Sequence, residues 1–165
     1  MADHVDTVLA QWAEQRPDLD VSPMAVLGRL KRVSRIVDSE LSRTFARHGL
    51  DAPSYDVLAT LRRRDPPHHL TPTELMRSAM VTSGAVTQRL DRLEDRGLIT
   101  RSRSATDGRG IVVSLTDDGR ALIDRVLPDH FATGRRVLDA LDPLERAALA
   151  DALRTLLESF GDRTA

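Results

Sequence analysis

The sequence predicts a mainly α fold with a small β-hairpin, and three observations predict it. First, Thr71-Pro72-Thr73-Glu74 opens a short helix, which a turn joins to a second helix ending at Gly97. Second, Leu98–Ser102 and Gly110–Leu115 read as two strands around the loop Ala105-Thr106-Asp107-Gly108, with Arg109 at its tip. Third, long stretches with apolar residues at helical spacing lie on both sides of this run. Together these give a winged helix-turn-helix flanked by long N- and C-terminal dimerisation helices, the layout that sets one helix in the DNA major groove. The expected divisions are N-terminal helices over 1–48, including an added first helix, a DNA-binding region over 51–116 and C-terminal dimerisation helices over 117–165.

In chain order, His4–Glu14 forms a short helix with Val5, Val8, Leu9 and Trp12 on one face. Pro17 and Pro23 break the segment that follows, and Ser22 is the expected N-cap of a helix over about 23–48 that Gly49 ends. Asp51–Arg64 is the next helix, with Tyr55, Leu58, Ala59 and Leu61 pointing inward, and Pro66-Pro67 forbid its continuation. A capping box built on Thr71 and Glu74 starts a helix to about Ala79. Met80-Val81-Thr82 makes the turn, and Thr82 or Ser83 caps the helix to Arg96, whose apolar stripe is Val86, Leu90 and Leu93. Thr116 caps a long helix to about Pro128, where a kink is expected, and Pro143 opens the last helix to Phe160. The terminal helices carry more apolar surface than so small a domain can cover, which predicts a homodimer built on the first and last helices.

The bulk composition narrows the function. With no cysteine, a disulfide framework, a Cys-based zinc site and a thiol switch are excluded. The N-terminus does not read as a signal peptide, and no apolar run approaches the ~18–20 residues that span a membrane, so a cytoplasmic location and no membrane partner are expected. The histidines His4, His48, His68, His69 and His130 are scattered, and phosphate loops, nucleophile elbows and zinc-protease motifs are missing. The chain is therefore expected not to be an enzyme and to need no cofactor or metal. From Thr71 to Gly110 seven arginines face five acids, so attraction to DNA has to come from where charges stand.

On a helix turning 100° per residue, the stripe Val86, Leu90 and Leu93 leaves Gly84, Gln88 and Arg92 pointing most nearly outward, with Thr87 and Asp91 beside them. Ser83 and Thr87 suit phosphate or base contacts, Gln88 can pair with adenine, Arg92 can read guanine or hold a phosphate, and Gly84 allows close backbone approach. Thr71 and Thr73, at the start of the first helix of the motif, complete that side of the expected DNA surface. Arg109 at the wing tip suits a narrow minor groove, and Arg103 shares a strand face with Arg101. Solvated positions on an ordinary helix and hairpin are the plainer reading of these residues.

The TPTEL helix, the run SGAVTQRLDRLEDRGLI, the wing ending in Asp107-Gly108-Arg109 and LTDDGR opening the next helix resemble the MarR family of winged-helix regulators. The resemblance covers essentially the whole chain and implies a dimeric DNA-binding transcription factor, usually a repressor, released by a small ligand. Gly108 departs from it, because many relatives carry a second basic residue there. The added Trp-bearing helix, SPM, YDVLATLRR and TQRLDRLE are more narrowly similar to the urate-responsive branch. That similarity implies a ligand site made of Trp12, Asp56, Arg89 and Arg101 for a small anionic effector. Arg89 lies about 65° from the apolar centre of its helix, at the core border rather than on the outward face. Asp56 is its expected partner when no ligand is bound. The expected function is a ligand-responsive repressor that binds a palindromic operator as a homodimer, and a constitutive DNA-binding regulator is the nearest alternative.

Overall fold

The computed structural model describes residues 2–64, 66, 68–78, 86–103 and 110–162. The chain runs α1 (His4–Gln15), α2 (Pro23–Arg47), α3 (Ala52–Arg62), β1 (His69–Leu70), α4 (Pro72–Ser78), α5 (Val86–Asp95), β2 (Ile99–Arg103), β3 (Ile111–Leu115), α6 (Asp117–Val137) and α7 (Pro143–Ser159). This is the expected winged helix-turn-helix, mostly helical with one small antiparallel sheet. The expected turn at Met80-Val81-Thr82, Ser83, Gly84 and the wing loop with Arg109 fall outside the described residues.

The local signals act largely as the sequence dictates. Glu74 N–H donates to Thr71 Oγ1 at 3.2 Å while the Glu74 carboxylate accepts from Thr71 N–H at 2.8 Å, closing the capping box of α4. Asp51 and Thr116 cap α3 and α6 through the N–H groups of Ser54 and Gly119. Gly49 and Gly97, at φ +67° and +68°, follow α2 and α5 in the left-handed conformation that ends a helix.

Three expectations are corrected. Ser22 does not cap α2: its backbone is helical, its side chain makes no capping bond, and its own N–H donates to Asp20 Oδ1 at 3.0 Å. Asp20, two residues earlier, supplies the side-chain bond instead, since an Asx side chain readily bonds the N–H two positions on. The sheet has three strands in the order β1-β3-β2, because His69 and Leu70 pair with Ser114 and Val113. The long helix α6 passes through Pro128 and Gly134 to Val137. Tertiary contacts just beyond Pro128 hold it to the C-terminal end of α2: His48 Nε2 meets Asp129 Oδ2 at 2.9 Å, and the buried Thr44 and Thr133 hydroxyls bond at 2.8 Å.

The core lies where α3, α4, α5 and the sheet meet the C-terminal half of α2 and the N-terminal half of α6, around Phe45, Leu58, Leu61, Leu93, Val113 and Ile123. Outside it, α2 exposes Val26, Leu27, Leu30, Val33 and Ile36, and α7 exposes Leu144, Leu149, Leu156 and Leu157 without burying any residue. Among the described residues no helix is long and apolar enough to cross a membrane.

Candidate nucleic-acid interface

The helix α5 is divided between core and solvent. Leu90 and Leu93 are 2 % and 0 % exposed, while Thr87, Gln88 and Arg92 are exposed on the other side. Its upward-facing groups are therefore a hydroxyl, an amide and a guanidinium, a set able to meet both base edges and phosphates. Thr73 is exposed in the first turn of α4, and Arg103 is exposed at the end of β2. Thr71 lies beside them, but its hydroxyl already donates to Glu74 at 2.8 Å. Glu74 is held below the usual carboxylate range, chiefly by the Thr71 N–H, so an anion approaching the start of α4 meets a charged acid there. Ser83, Gly84 and Arg109 belong to the segments outside the described residues.

Arg89 is half-buried and lines a cleft of about 230 Å³ with Asp51, Pro53, Ser54, Gln88 and Arg92. Burial opposes ionisation of Asp51, but bonds from Ser54 and then the Arg89 charge leave its carboxyl below the usual value. Asp51, the N-cap of α3, is thus an electrostatic partner of Arg89. An adjoining cavity of about 520 Å³ continues past Arg92 to Asp95 and Arg96. Arg89 and Arg92 are three residues apart on α5, and Arg96 follows four residues on, just past its end.

Asp56 is 7 % exposed and lines a different cavity, with Tyr55 and His130. Arg101 is bound elsewhere again. Its Nε donates to Glu94 Oε2 at 2.8 Å, a terminal nitrogen reaches Asp91 Oδ1 at 2.7 Å, and its N–H donates to Glu94 Oε1 at 2.9 Å. This fork fastens the start of the wing to α5 and pulls the Glu94 carboxyl below its ordinary value. Trp12 is 44 % exposed on α1, which is held to α2 by Arg29 bonding Asp3 and Asp6 at 2.9 and 2.6 Å. The four residues of the expected ligand site are therefore distributed over separate places within one chain. Pairings of Arg101 with acids seven and ten residues earlier could have been found by asking which carboxylates α5 presents to the returning strand.

The family model of the MarR family matches residues 48–110, which cover α3 to the wing. The chain is 40% identical to the HTH-type transcriptional regulator PecS of Dickeya dadantii over 145 residues, covering 88% of this chain and 87% of that one. It is 34% identical to the HTH-type transcriptional repressor Mb2911 of Mycobacterium bovis over 86% of this chain and 96% of the relative. Among solved structures it resembles Sco3205, a MarR family regulator from Streptomyces coelicolor in complex with DNA, with a TM-score of 0.77 and 26% identity over 86% and 89% of the two chains. AbsC, also from Streptomyces coelicolor, shares the fold with a TM-score of 0.78 at 23% identity, over 88% of this chain and 98% of that one. With α5 divided between core and solvent and the wing pinned to it, this likeness in sequence and fold settles the class: the chain belongs to the MarR family of DNA-binding transcriptional regulators.

Proposed function

We propose that the protein is a homodimeric repressor that reads a palindromic operator with α5 and releases it when a small anion binds beside Arg89. The division of α5 carries this reading, since one helix offers Thr87, Gln88 and Arg92 to DNA and Arg89 to the cleft below. Thr73 and Arg103 flank that surface, with Ser83, Gly84 and Arg109 as its expected continuation. The unpartnered apolar faces of α2 and α7 support the dimer, which would present two copies of α5 to half-sites ~34–36 Å apart. PecS and Mb2911 are named as a regulator and a repressor, which supports repression here.

An anion in the Arg89 cleft, of urate-like or carboxylate type as the resemblance implies, shares Gln88 and Arg92 with the proposed DNA surface. Its binding and operator binding then oppose each other by linkage. Arg101 would join such a site only by leaving Glu94 and Asp91, so Arg89 is the principal ligand residue in this proposal.

Mobility-shift titration of a palindromic promoter fragment tests the reading, together with light scattering for the dimer. Arg92→Ala should weaken binding to all sequences and lower the salt slope by about one. Arg89→Ala should keep operator affinity but lose release by urate. A variant that still releases normally would remove Arg89 from the ligand site. An operator complex of one chain, or a monomer at micromolar concentration, would end the dimer proposal.

A further inference from the structure

The helix α5 and the strand β2 are joined by the short link Arg96-Gly97-Leu98, so the angle between them is set by contacts made across it. The strand β2 is an edge of the sheet, whose order is β1-β3-β2. An edge strand leaves alternate N–H groups without a ladder partner. That of Arg101 donates to Glu94 Oε1 at 2.9 Å. The other oxygen of the same carboxylate accepts from Arg101 Nε at 2.8 Å and from a terminal nitrogen at 2.5 Å, and this nitrogen also reaches Asp91 Oδ1 at 2.7 Å. One residue of the wing is thus held through backbone and side chain together by two acids of α5. A planar guanidinium bound in this way fixes direction as well as distance.

This anchor stands between the two parts of the proposed DNA surface. Asp91 is three residues from Gln88 and four from Thr87, both exposed, so the three side chains are neighbours on α5. Arg103 lies two residues beyond Arg101, on the same face of β2, exposed and about 7 Å further along the strand. Arg101 itself is poorly suited to hold a phosphate. The bond from its side chain, ahead of that from its N–H, keeps the Glu94 carboxyl below the usual carboxylate range, so Glu94 stays ionised at neutral pH. One guanidinium between two carboxylates leaves the cluster negative, and an anion gains little by approaching it.

We infer that Arg101 is a positioning residue for operator recognition: gripped by Asp91 and Glu94, it sets the angle at which β2 leaves α5, so that wing and helix engage one half-site together. The inference rests on the reading of α5 as the helix that faces DNA. The fork brings Arg103 to the phosphates that flank the groove read by Gln88 and Arg92. Without it, helix and wing both still touch DNA, but not in one register. The loss then falls on the operator rather than on unrelated DNA, because non-specific binding needs positive charge near the backbone and no fixed angle.

The test compares a palindromic promoter fragment with a scrambled fragment of the same length and composition, by fluorescence anisotropy on the full-length protein at fixed salt. The double variant Asp91→Asn, Glu94→Gln removes the fork together with two negative charges beside the DNA surface. Charge alone would then tighten binding to both fragments. Lost positioning instead weakens operator binding about tenfold, the size of one lost base-pair contact, while the scrambled fragment binds as before or more tightly. A variant that is merely less stable loses both in proportion, so the ratio of the two affinities, measured well below the melting transition, isolates positioning. Arg101→Lys keeps the charge but not the fork and should lower the same ratio about threefold. An unchanged ratio in the double variant would overturn the inference. Arg92→Ala, measured alongside, reports the reading beneath it. If Arg92→Ala leaves both fragments bound as before, α5 does not face DNA and that reading fails with the inference. If Arg92→Ala weakens both while the double variant keeps the parental ratio, only the role of Arg101 is lost.

Discussion

Replacing Gly119 by alanine should destabilise the protein more than any other single methyl addition in α6. Gly119 lies in the first turn of that helix, against the backbone that links α5 to β2. A Cβ built there stands 1.9 Å from the Leu98 carbonyl oxygen and 3.3 Å from Leu115 Cδ2. Reaching the 3.4 Å of ordinary contact requires the Leu98 carbonyl to retreat by about 1.5 Å, the difference of the two distances. That movement opens the joint made by Thr116 N–H to Leu98 O at 3.2 Å and Thr116 Oγ1 to Gly97 O at 2.6 Å. Two such bonds are worth about 1 kcal/mol each and the overpacking about 1–3 more, so the loss is about 3–5 kcal/mol. For a chain of this size that lowers the melting temperature by about 6–20 °C. Circular dichroism melts at fixed protein concentration measure it. Gly134→Ala is the control: the same helix and the same methyl, but with nothing within 4 Å of the new Cβ. It should be neutral or stabilise by up to about 1 kcal/mol, through helix propensity. A Gly119→Ala melt within about 2 °C of the parent would refute the close-approach argument.

Two more consequences can be measured. Glu94→Gln should weaken the fork that ties Arg101 to α5 and lower the urea midpoint slightly, because an exposed ion pair contributes little; an unchanged midpoint would show that Asp91 holds Arg101 alone. Arg29→Ala should free α1 from α2 and change the emission of Trp12, the chain's single tryptophan. The same signal should report acid: Asp3 and Asp6 are held below their usual values, first by each other's backbone N–H and then by Arg29. A carboxyl lowered in the folded state stabilises docking above its ordinary value and loses that contribution as pH falls through the folded one, so Trp12 should change only below about pH 4. A transition near neutrality would mean that other groups dock α1.

What was legible in the sequence follows the reach of each interaction. The α4 capping box could be read because Thr71 and Glu74 are three residues apart and complete each other within one turn. The burial of Leu90 and Leu93 could be read because a helix has a fixed period. The strand β1 could not, since His69 and Leu70 become a strand only by pairing with residues more than forty positions later. The continuity of α6 was hidden for the same reason: Pro128 locally argues for a break, and the contacts from Thr44 and His48 that hold the helix together come from α2. The helical wheel set Arg89 at the core border, where it lies, but a wheel does not say which residue of α3 faces it. The resemblance implied a single site for Arg89, Arg101, Asp56 and Trp12, whereas folding gives Arg101 to two acids of its own motif.

The cleft beside Arg89 and the cavity that Asp56 lines share a wall, the helix α3. Asp51 and Ser54, at the start of α3, line the cleft beneath α5, whereas Ala52, Tyr55 and Asp56 of the same helix line the cavity toward α2 and α6. The helix α6 borders that cavity too: His130 in the cavity and Gly119 at the α5–β2 joint lie on it eleven residues apart, about 16 Å along a helix. A packed joint with no room for a methyl group has no slack to absorb a displacement of α6. The same close contact that makes Gly119→Ala destabilising thus ties the first turn of α6 to the joint between α5 and β2, the helix that faces DNA and the first strand of the wing.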